Sequence, residues 1–485
     1  MDKDNKSGKI ITNVIWKFAE RILAQLVSFV VSVVLARLVL PDDYGAIAMV
    51  LVFINVANVF VTSGIPTSLI QKKDADKLDF SSVFYFNLVL SVILYLILFL
   101  TAPFIADFYN LEILSPVIRV LGIRLIVASV NSVQHSYVSR NMMFKKYFWS
   151  TLFGTLISGV VGIALAYKNY GVWALVAQYM TNTTVDTLVL FITVKWRPSL
   201  EFSFSRVRRL FKFGWKILFE GVSNTLANEL QNFIIGKVYT KGDLAYYTKG
   251  QQFPSLIVNN ITASIGSVLF PAMSDEQDNK NSVLDILRNS VRLTSYVVYP
   301  MLTGLAVVAS PLISVLLTDK WIETVPFLQA FCILNAPTVA MIPRHQAINS
   351  IGRSDVFMNE HIAARIVAII VLLLTYKISI MAIVIGCFIS SGFLSLIVAF
   401  TSKKYNGYKY KDQIKDILPT LIGCLLIFGA AYPISLIGLS TILTLIVQAV
   451  TGAFVYFLYS YLFKIKEFKI CAGFITGIFK KIKDR

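Results

Sequence analysis

Arg21, Gln25, Ser28 and Ser32 stand at i, i+4, i+7 and i+11, one face of a helix, inside a run that is mostly apolar from Ile10 to Leu40. A second stretch nearly repeats this face: Lys216, Glu220 and Ser223 are its counterparts, with Asn224, Asn228 and Gln231 beside them. A charge at bilayer depth costs about 2.5–3.5 kcal/mol on insertion scales, so such residues either line a polar cavity or snorkel to the interface. For Lys17, Glu20 and Arg21, close to the start of the run, both readings stay open. Arg124 lies about midway along its own apolar run, with Arg119 nearer one end, and a route to the interface from there is long. Arg and Lys hold phosphate and carboxylate oxygens through charge-assisted hydrogen bonds, so a lining of this kind suits a ligand with phosphate or acidic groups. Asp186 and Glu229 are the acids set deepest in apolar sequence; each is a candidate to carry a proton or ion, or to pair with these cations. Arg292 and Arg365 begin helices and read as interface anchors.

Other chemistries find little support. Three histidines, His135, His345 and His361, are too few and scattered for a metal site, although one could serve a proton relay. Cys332, Cys387, Cys424 and Cys471 lie singly in or beside apolar runs, without disulfide or metal spacing, and read as small buried hydrophobes. No catalytic acid or histidine cluster and no sizeable extracytoplasmic loop is evident, which argues against a membrane enzyme such as a polymerase, ligase or acyltransferase. No cofactor is expected.

The elements that position these residues follow from composition. The chain has 485 residues, 56% hydrophobic and 15% charged, with a mean hydropathy of +0.69; a soluble protein of this size needs far more polar surface, so an integral membrane protein is expected. The first run is too long for a signal peptide and should remain as a span. With roughly 20 apolar residues per spanning helix, fourteen spans are expected: 11–38, 44–66, 81–106, 113–136, 148–167, 171–194, 213–238, 250–272, 289–317, 324–347, 359–376, 378–401, 414–433 and 437–462. Alternate loops then carry about thirty lysines and arginines against about seven. That bias predicts both termini in the cytoplasm and an even span count. It also accounts for the net charge of +18 without nucleic acid. The basic, partly apolar tail from Lys464 to Arg485 is expected to lie along anionic lipid.

The runs repeat. Shifted by 195, Lys17, Phe18, Ile22, Leu23, Val27, Ser28 and Leu35 fall on Lys212, Phe213, Ile217, Leu218, Val222, Ser223 and Leu230. Shifted by 210, Pro116 falls on Pro326 and His135 on His345. The expected fold is therefore all-α, with two pseudo-symmetric six-helix lobes, 1–200 and 201–403, followed by two further helices and a basic tail, 404–485. An even number of spans per repeat keeps both lobes in the same orientation, and the duplicated polar stripe suggests a shared water-filled cleft.

The stretches "ARLVLPDDYGAIAMVLVF" (Ala36–Phe53), "GIPTSLIQ" (Gly64–Gln71), "PFIADFYN" (Pro103–Asn110), "FSFSRVRRLFKFG" (Phe202–Gly214), "VLFPAMSDEQ" (Val268–Gln277) and "QAINSIGRSD" (Gln346–Asp355) resemble the polysaccharide transporter family of the MOP exporter superfamily. The likeness is greatest to Wzx-type flippases of the colanic and teichuronic acid kind, and covers essentially the whole chain. It implies a MATE/MOP-like fold, alternating access, and translocation of an undecaprenyl-pyrophosphate-linked oligosaccharide from the inner to the outer leaflet of a bacterial cytoplasmic membrane. Membrane lipids, a polysaccharide polymerase and glycosyltransferases would be the implied partners. Arg21, Arg124 and Lys216 are plausible counterparts of the family's cationic cavity. Two alternatives share the architecture: a multidrug/cation antiporter, against which the basic lining argues, and a lipid II flippase.

Overall fold

The computed structural model describes residues 23–473, and every regular element among them is a helix. A first compact unit ends at Ala245 and a second begins at Tyr246. The first contains α1 (Leu23–Leu38), α2 (Pro41–Thr62), α3 (Ile65–Gln71), α4 (Lys77–Tyr109), α5 (Leu114–Gly122), α6 (Arg124–Arg140), α7 (Phe144–Tyr167), α8 (Val172–Thr193) and α9 (Phe204–Val238). The boundary falls inside α10 (Lys241–Asp275). The second unit continues with α11 (Lys280–Val307), α12 (Ala309–Leu317), α13 (Thr324–Ser350), α14 (Ser354–Thr375), α15 (Ile380–Asn406), α16 (Tyr410–Ala431) and α17 (Thr441–Leu462).

Nine helices among the described residues are long and apolar enough to cross a membrane, or ten if α11 and α12, bent by 69°, form one span. The protein is thus a multi-pass membrane protein, consistent with the fourteen expected spans. Three long helices outside that set are those interrupted by polar residues: Gln178, Asn182 and Asp186 on α8, Lys216, Glu220 and Glu229 on α9, and Lys249 and Asn259 on α10. Several expected spans are built in two pieces. The second passes through α2 and α3 with a break at Gly64, and the fourth is split at Ile123 into α5 and α6.

Local chemistry sets the boundaries. Asp76 and Asp79 form a reciprocal capping box at the start of α4, and Asn110 ends that helix in the left-handed region. α7 and α8 pack closely because α7 presents Gly154, Ser158 and Gly162 to its neighbour; a Cβ at Gly162 would lie 2.8 Å from the Gln178 Cβ. Gly64 adopts a positive φ of 76°, and its carbonyl lies where a Cβ on Gly214 would be, 2.8 Å away. This close approach draws α9 onto α2, α3 and α4. The helix expected to open the second lobe therefore packs within the first unit.

In each unit a late helix is tied to an earlier one by buried charge. In the first, Asp79 of α4, which is fully buried, meets Lys72 at 2.5 Å and Arg206 of α9 at 3.3 Å. In the second, buried Asp416 of α16 binds Arg288 of α11 at 2.9 Å, Arg292 of α11, and the Tyr408 hydroxyl at 2.8 Å. The acid sits on the earlier helix in one unit and on the later helix in the other. Arg292, expected as an interface anchor, is thus engaged by a carboxylate. Three tyrosine hydroxyls fasten α17: Tyr296 to Ser460 at 2.9 Å, Tyr456 to the Tyr296 carbonyl at 2.8 Å, and Tyr459 to the Pro419 carbonyl at 2.9 Å. Each such bond between membrane helices contributes about 0.6 kcal/mol on average.

Candidate functional site

The break between α5 and α6 makes Arg124 the first residue of α6 and turns it into a cavity of about 410 Å³ within the first unit. Its Nε donates to Thr183 Oγ1 of α8 at 2.8 Å, and the guanidinium lies 5.7 Å from the centre of the Tyr179 ring. Deeper along α6, Asn131 Nδ2 donates to Asp186 Oδ2 of α8 at 2.6 Å. The same oxygen lies 3.2 Å from His135 Nε2, whose other ring nitrogen is hydrogen-bonded to the Tyr147 hydroxyl of α7. Asp186 Oδ1 is buried with no hydrogen-bond partner among the described residues. Asn58 and Thr62 of α2, Thr67 of α3, Ser132, Ser136 and Ser139 of α6 and Asn182 of α8 complete the wall. The cavity thus joins one delocalised cation to many hydroxyl and amide groups, a lining able to hold an anionic group together with a polyhydroxylated one.

Glu229 lies elsewhere in the unit, at a cavity of about 440 Å³ lined almost wholly by apolar residues of α2, α4 and α9. Asn55 Nδ2 donates to its Oε1 at 2.8 Å and Asn232 Nδ2 to its Oε2 at 2.9 Å, so both oxygens have amide donors. Lys216, Glu220, Asn224 and Asn228 lie on exposed positions of α9, away from the Arg124 cavity, and Gln25 is half-buried on α1. Arg21 lies outside the described residues. Of the residues singled out in the sequence, Arg124 and Asp186 are brought together in one cavity. Asn131 and Tyr147 went unnoticed because a single Asn or Tyr in an apolar run has no distinguishing spacing. His135 gave a signal, its match with His345, without indicating a carboxylate partner. Among the described residues no group of three or more His, Cys, Asp or Glu side chains could hold a metal ion.

The fold and site thus define a multi-pass helical membrane protein with a polar, cation-bearing cavity inside one unit. The family described as "Polysaccharide biosynthesis protein" matches residues 34–326, more than half of the chain, and the chain belongs to that family. It is 23% identical over 323 residues to the succinoglycan biosynthesis transport protein ExoT of Rhizobium meliloti, covering 66% of this chain and 65% of the relative. It is 24% identical to the teichuronic acid biosynthesis protein TuaB of Bacillus subtilis, covering 62% of each. With the lipopolysaccharide biosynthesis protein WzxC of Escherichia coli it shares 24% identity over 67% of each. The match therefore spans less than two thirds of the length of the first two of these relatives and 67% of the third. Among solved structures, the lipid II flippase MurJ in an inward closed conformation superposes with a TM-score of 0.72, at 17% identity, covering 93% of this chain and 98% of that one. An inward-facing multidrug resistance MATE family transporter of the MOP superfamily gives 0.63 at 14% identity, covering 81% and 98%. These two establish the MOP-type fold.

Proposed function

We propose that this protein is a flippase that moves a polyprenyl-pyrophosphate-linked oligosaccharide across the bacterial cytoplasmic membrane by alternating access, for synthesis of a surface polysaccharide. The observation that carries this reading is the Arg124 cavity. Its guanidinium offers a planar set of donors for a pyrophosphate, and its serine, threonine and asparagine wall suits sugar hydroxyls. The transport and biosynthesis roles named for ExoT, TuaB and WzxC support it. An apolar cavity of about 930 Å³ in the second unit, lined by residues of α11, α16 and α17 such as Pro300, Met301, Tyr456 and Phe457, suits an isoprenoid chain. In this reading the chain forms two pseudo-symmetric six-helix lobes, 1–200 and 201–403, with two further helices and a basic tail after them, and both termini lie in the cytoplasm. Asp186 couples transport to a proton or ion, and the exposed face of α9 with Lys216, Glu220, Asn224 and Asn228 contributes to substrate binding. A polysaccharide polymerase and glycosyltransferases are its working partners.

The test is the location of lipid-linked repeat units in cells lacking the protein. Complete units trapped on the inner leaflet are expected. Units that reach the outer leaflet but stay unpolymerised would point to a polymerase. Trapped lipid II would point to peptidoglycan, and unchanged glycan with altered sensitivity to cationic drugs would point to a multidrug antiporter.

A further inference from the structure

The second unit holds a buried carboxylate that sequence reasoning did not single out. Glu360 of α14 is only 2% exposed. Its Oε1 is hydrogen-bonded to the Thr401 hydroxyl of α15, and its Oε2 lies 3.4 Å from His345 Nε2 of α13. That is ion-pair separation without hydrogen-bond alignment: neither Oε2 nor Nε2 has a hydrogen-bond partner among the described residues. His361 of α14 faces both members of the pair and has Arg365 of the same helix near it in turn. The His361 ring is 5.2 Å from that of His345, and its Nε2 is also buried and unpartnered. Arg344, next to His345 on α13, is turned toward the Tyr408 ring at 5.8 Å and toward Tyr299 of α11.

The Thr401 hydroxyl has one hydrogen and three oxygens in reach: Glu360 Oε1, the Ile397 carbonyl at 3.2 Å and the Val398 carbonyl at 3.1 Å. When Glu360 is ionised, the hydroxyl donates to the carboxylate. When Glu360 is protonated, the acid O–H donates to Thr401 and the threonine hydrogen turns to a backbone carbonyl. At Oε1 both protonation states are therefore satisfied without moving a heavy atom. On the other side of the carboxylate, a proton carried on Oε2 instead, with the Thr401 hydroxyl still donating to Oε1, can pass to Nε2 of the Nδ1–H tautomer of His345: the Oε2–H bond breaks, the Nε2–H bond forms, and an imidazolium is left facing a carboxylate.

The first unit holds the same three chemistries with two contributors exchanged. His135 meets Tyr147 edge-on as His345 meets Phe357, and both pairs stand at the same offset of 210 in sequence. Ser150, at that offset from Glu360, lies beside Asp186. In the first unit α8 supplies the acid and α7 a neighbouring hydroxyl, which donates to the Tyr147 carbonyl at 3.1 Å; in the second, α14 supplies the acid and α15 a hydroxyl bonded to it.

We propose that Glu360, with His345 and Thr401, is a proton-binding site of the second unit, loaded and emptied as the protein transports. The proposal rests on the transport reading above and adds the ion that this site takes. Full-length protein in lipid nanodiscs is titrated while the carboxylic-acid carbonyl stretch is followed by infrared difference spectroscopy. The wild type is expected to show a titrating band that E360Q removes. T401S should keep the midpoint, whereas T401V and H345Q should move it by about one pH unit, a tenfold change in proton affinity. Identical titrations of wild type and E360Q overturn the proposal. If E360Q does not fold, an unshifted T401V midpoint overturns it instead. In vesicles, wild-type translocation of lipid-linked units should vary with the pH difference across the membrane and E360Q translocation should not; E360Q translocation that still follows that difference also overturns it. The flippase reading fails separately: if deletion traps no lipid-linked units but E360Q abolishes the titrating band, the proton site stands and the substrate assignment falls.

Discussion

Arg124 holds its place through one hydrogen bond and one aromatic face, and the rest of its guanidinium opens on the cavity. Replacing it with alanine should leave expression intact, because the side chain contributes little to packing. A hydrogen bond to a charged group is worth about 1.5–3 kcal/mol, so transport should fall roughly tenfold to a hundredfold. The measurement is accumulation of lipid-linked units on the inner leaflet, and normal export by R124A would remove Arg124 from the site. Asp186 is tested by Asp186→Asn, which keeps the shape and the Asn131 hydrogen bond while losing the charge. Reduced export at normal expression is expected; full activity would reduce Asp186 to a helix-packing role. At this scale the sequence was only partly legible. A cation midway along an apolar run identified Arg124, and an acid in such a run identified Asp186. Glu360 escaped notice because it lies six residues into α14, where the sequence alone reads as a helix end close to the interface. Its burial depends on α13 and α15 closing over it.

Two elements are held by features that single substitutions can test. α16 is tied to α11 by Asp416, whose side chain is fully buried between Arg288 and Arg292. Removing one partner of a fully buried ion pair costs about 3–5 kcal/mol; here Arg288 and Arg292 keep some solvent contact and Arg288 keeps Asp412 at 3.6 Å, so the loss is smaller. D416A should therefore lower the thermal unfolding temperature of the purified protein clearly. Removing Arg292 as well should recover part of the loss, because Arg292 then no longer stands half-buried without its carboxylate; a D416A protein as stable as wild type would contradict the clamp. α9 depends on a different device. At Gly214 a Cβ would lie 2.7 Å from the Gly64 carbonyl carbon, a backbone atom that cannot turn aside. G214V should detach α9 from α3, seen as faster proteolysis or hydrogen exchange in Phe204–Val238, while the same change at Gly429, with nothing nearby, should be tolerated. The helices themselves were legible as apolar runs. The breaks at Gly64 and Ile123, and the 69° bend after Val307, were not, because a short kink leaves the average hydropathy of a run almost unchanged.

At the scale of the whole chain, orientation is the clearest expectation. An alkaline phosphatase fusion after Lys168 should be active and one at the C-terminus inactive, because lysine and arginine are concentrated in alternate loops. Activity at both positions would overturn the even span count. The long apolar runs led to an all-α membrane protein, the resemblance of its motifs implied the MOP-type fold, and the solved structures bear that fold out.

Composition, span spacing and charge bias determined that this is a many-helix membrane protein with polar residues carried into apolar sequence, since transfer energies act on each segment separately. Which of those polar residues meet was decided only by tertiary structure. Arg124 joins Thr183, Asp186 joins Asn131 and His135, and Glu360 joins Thr401 because glycine-faced helices approach closely and broken helices redirect their side chains. The same close packing gathers α9 into the first unit, although its sequence repeats that of the first span. A repeat records which segments are alike, whereas packing depends on which surfaces fit.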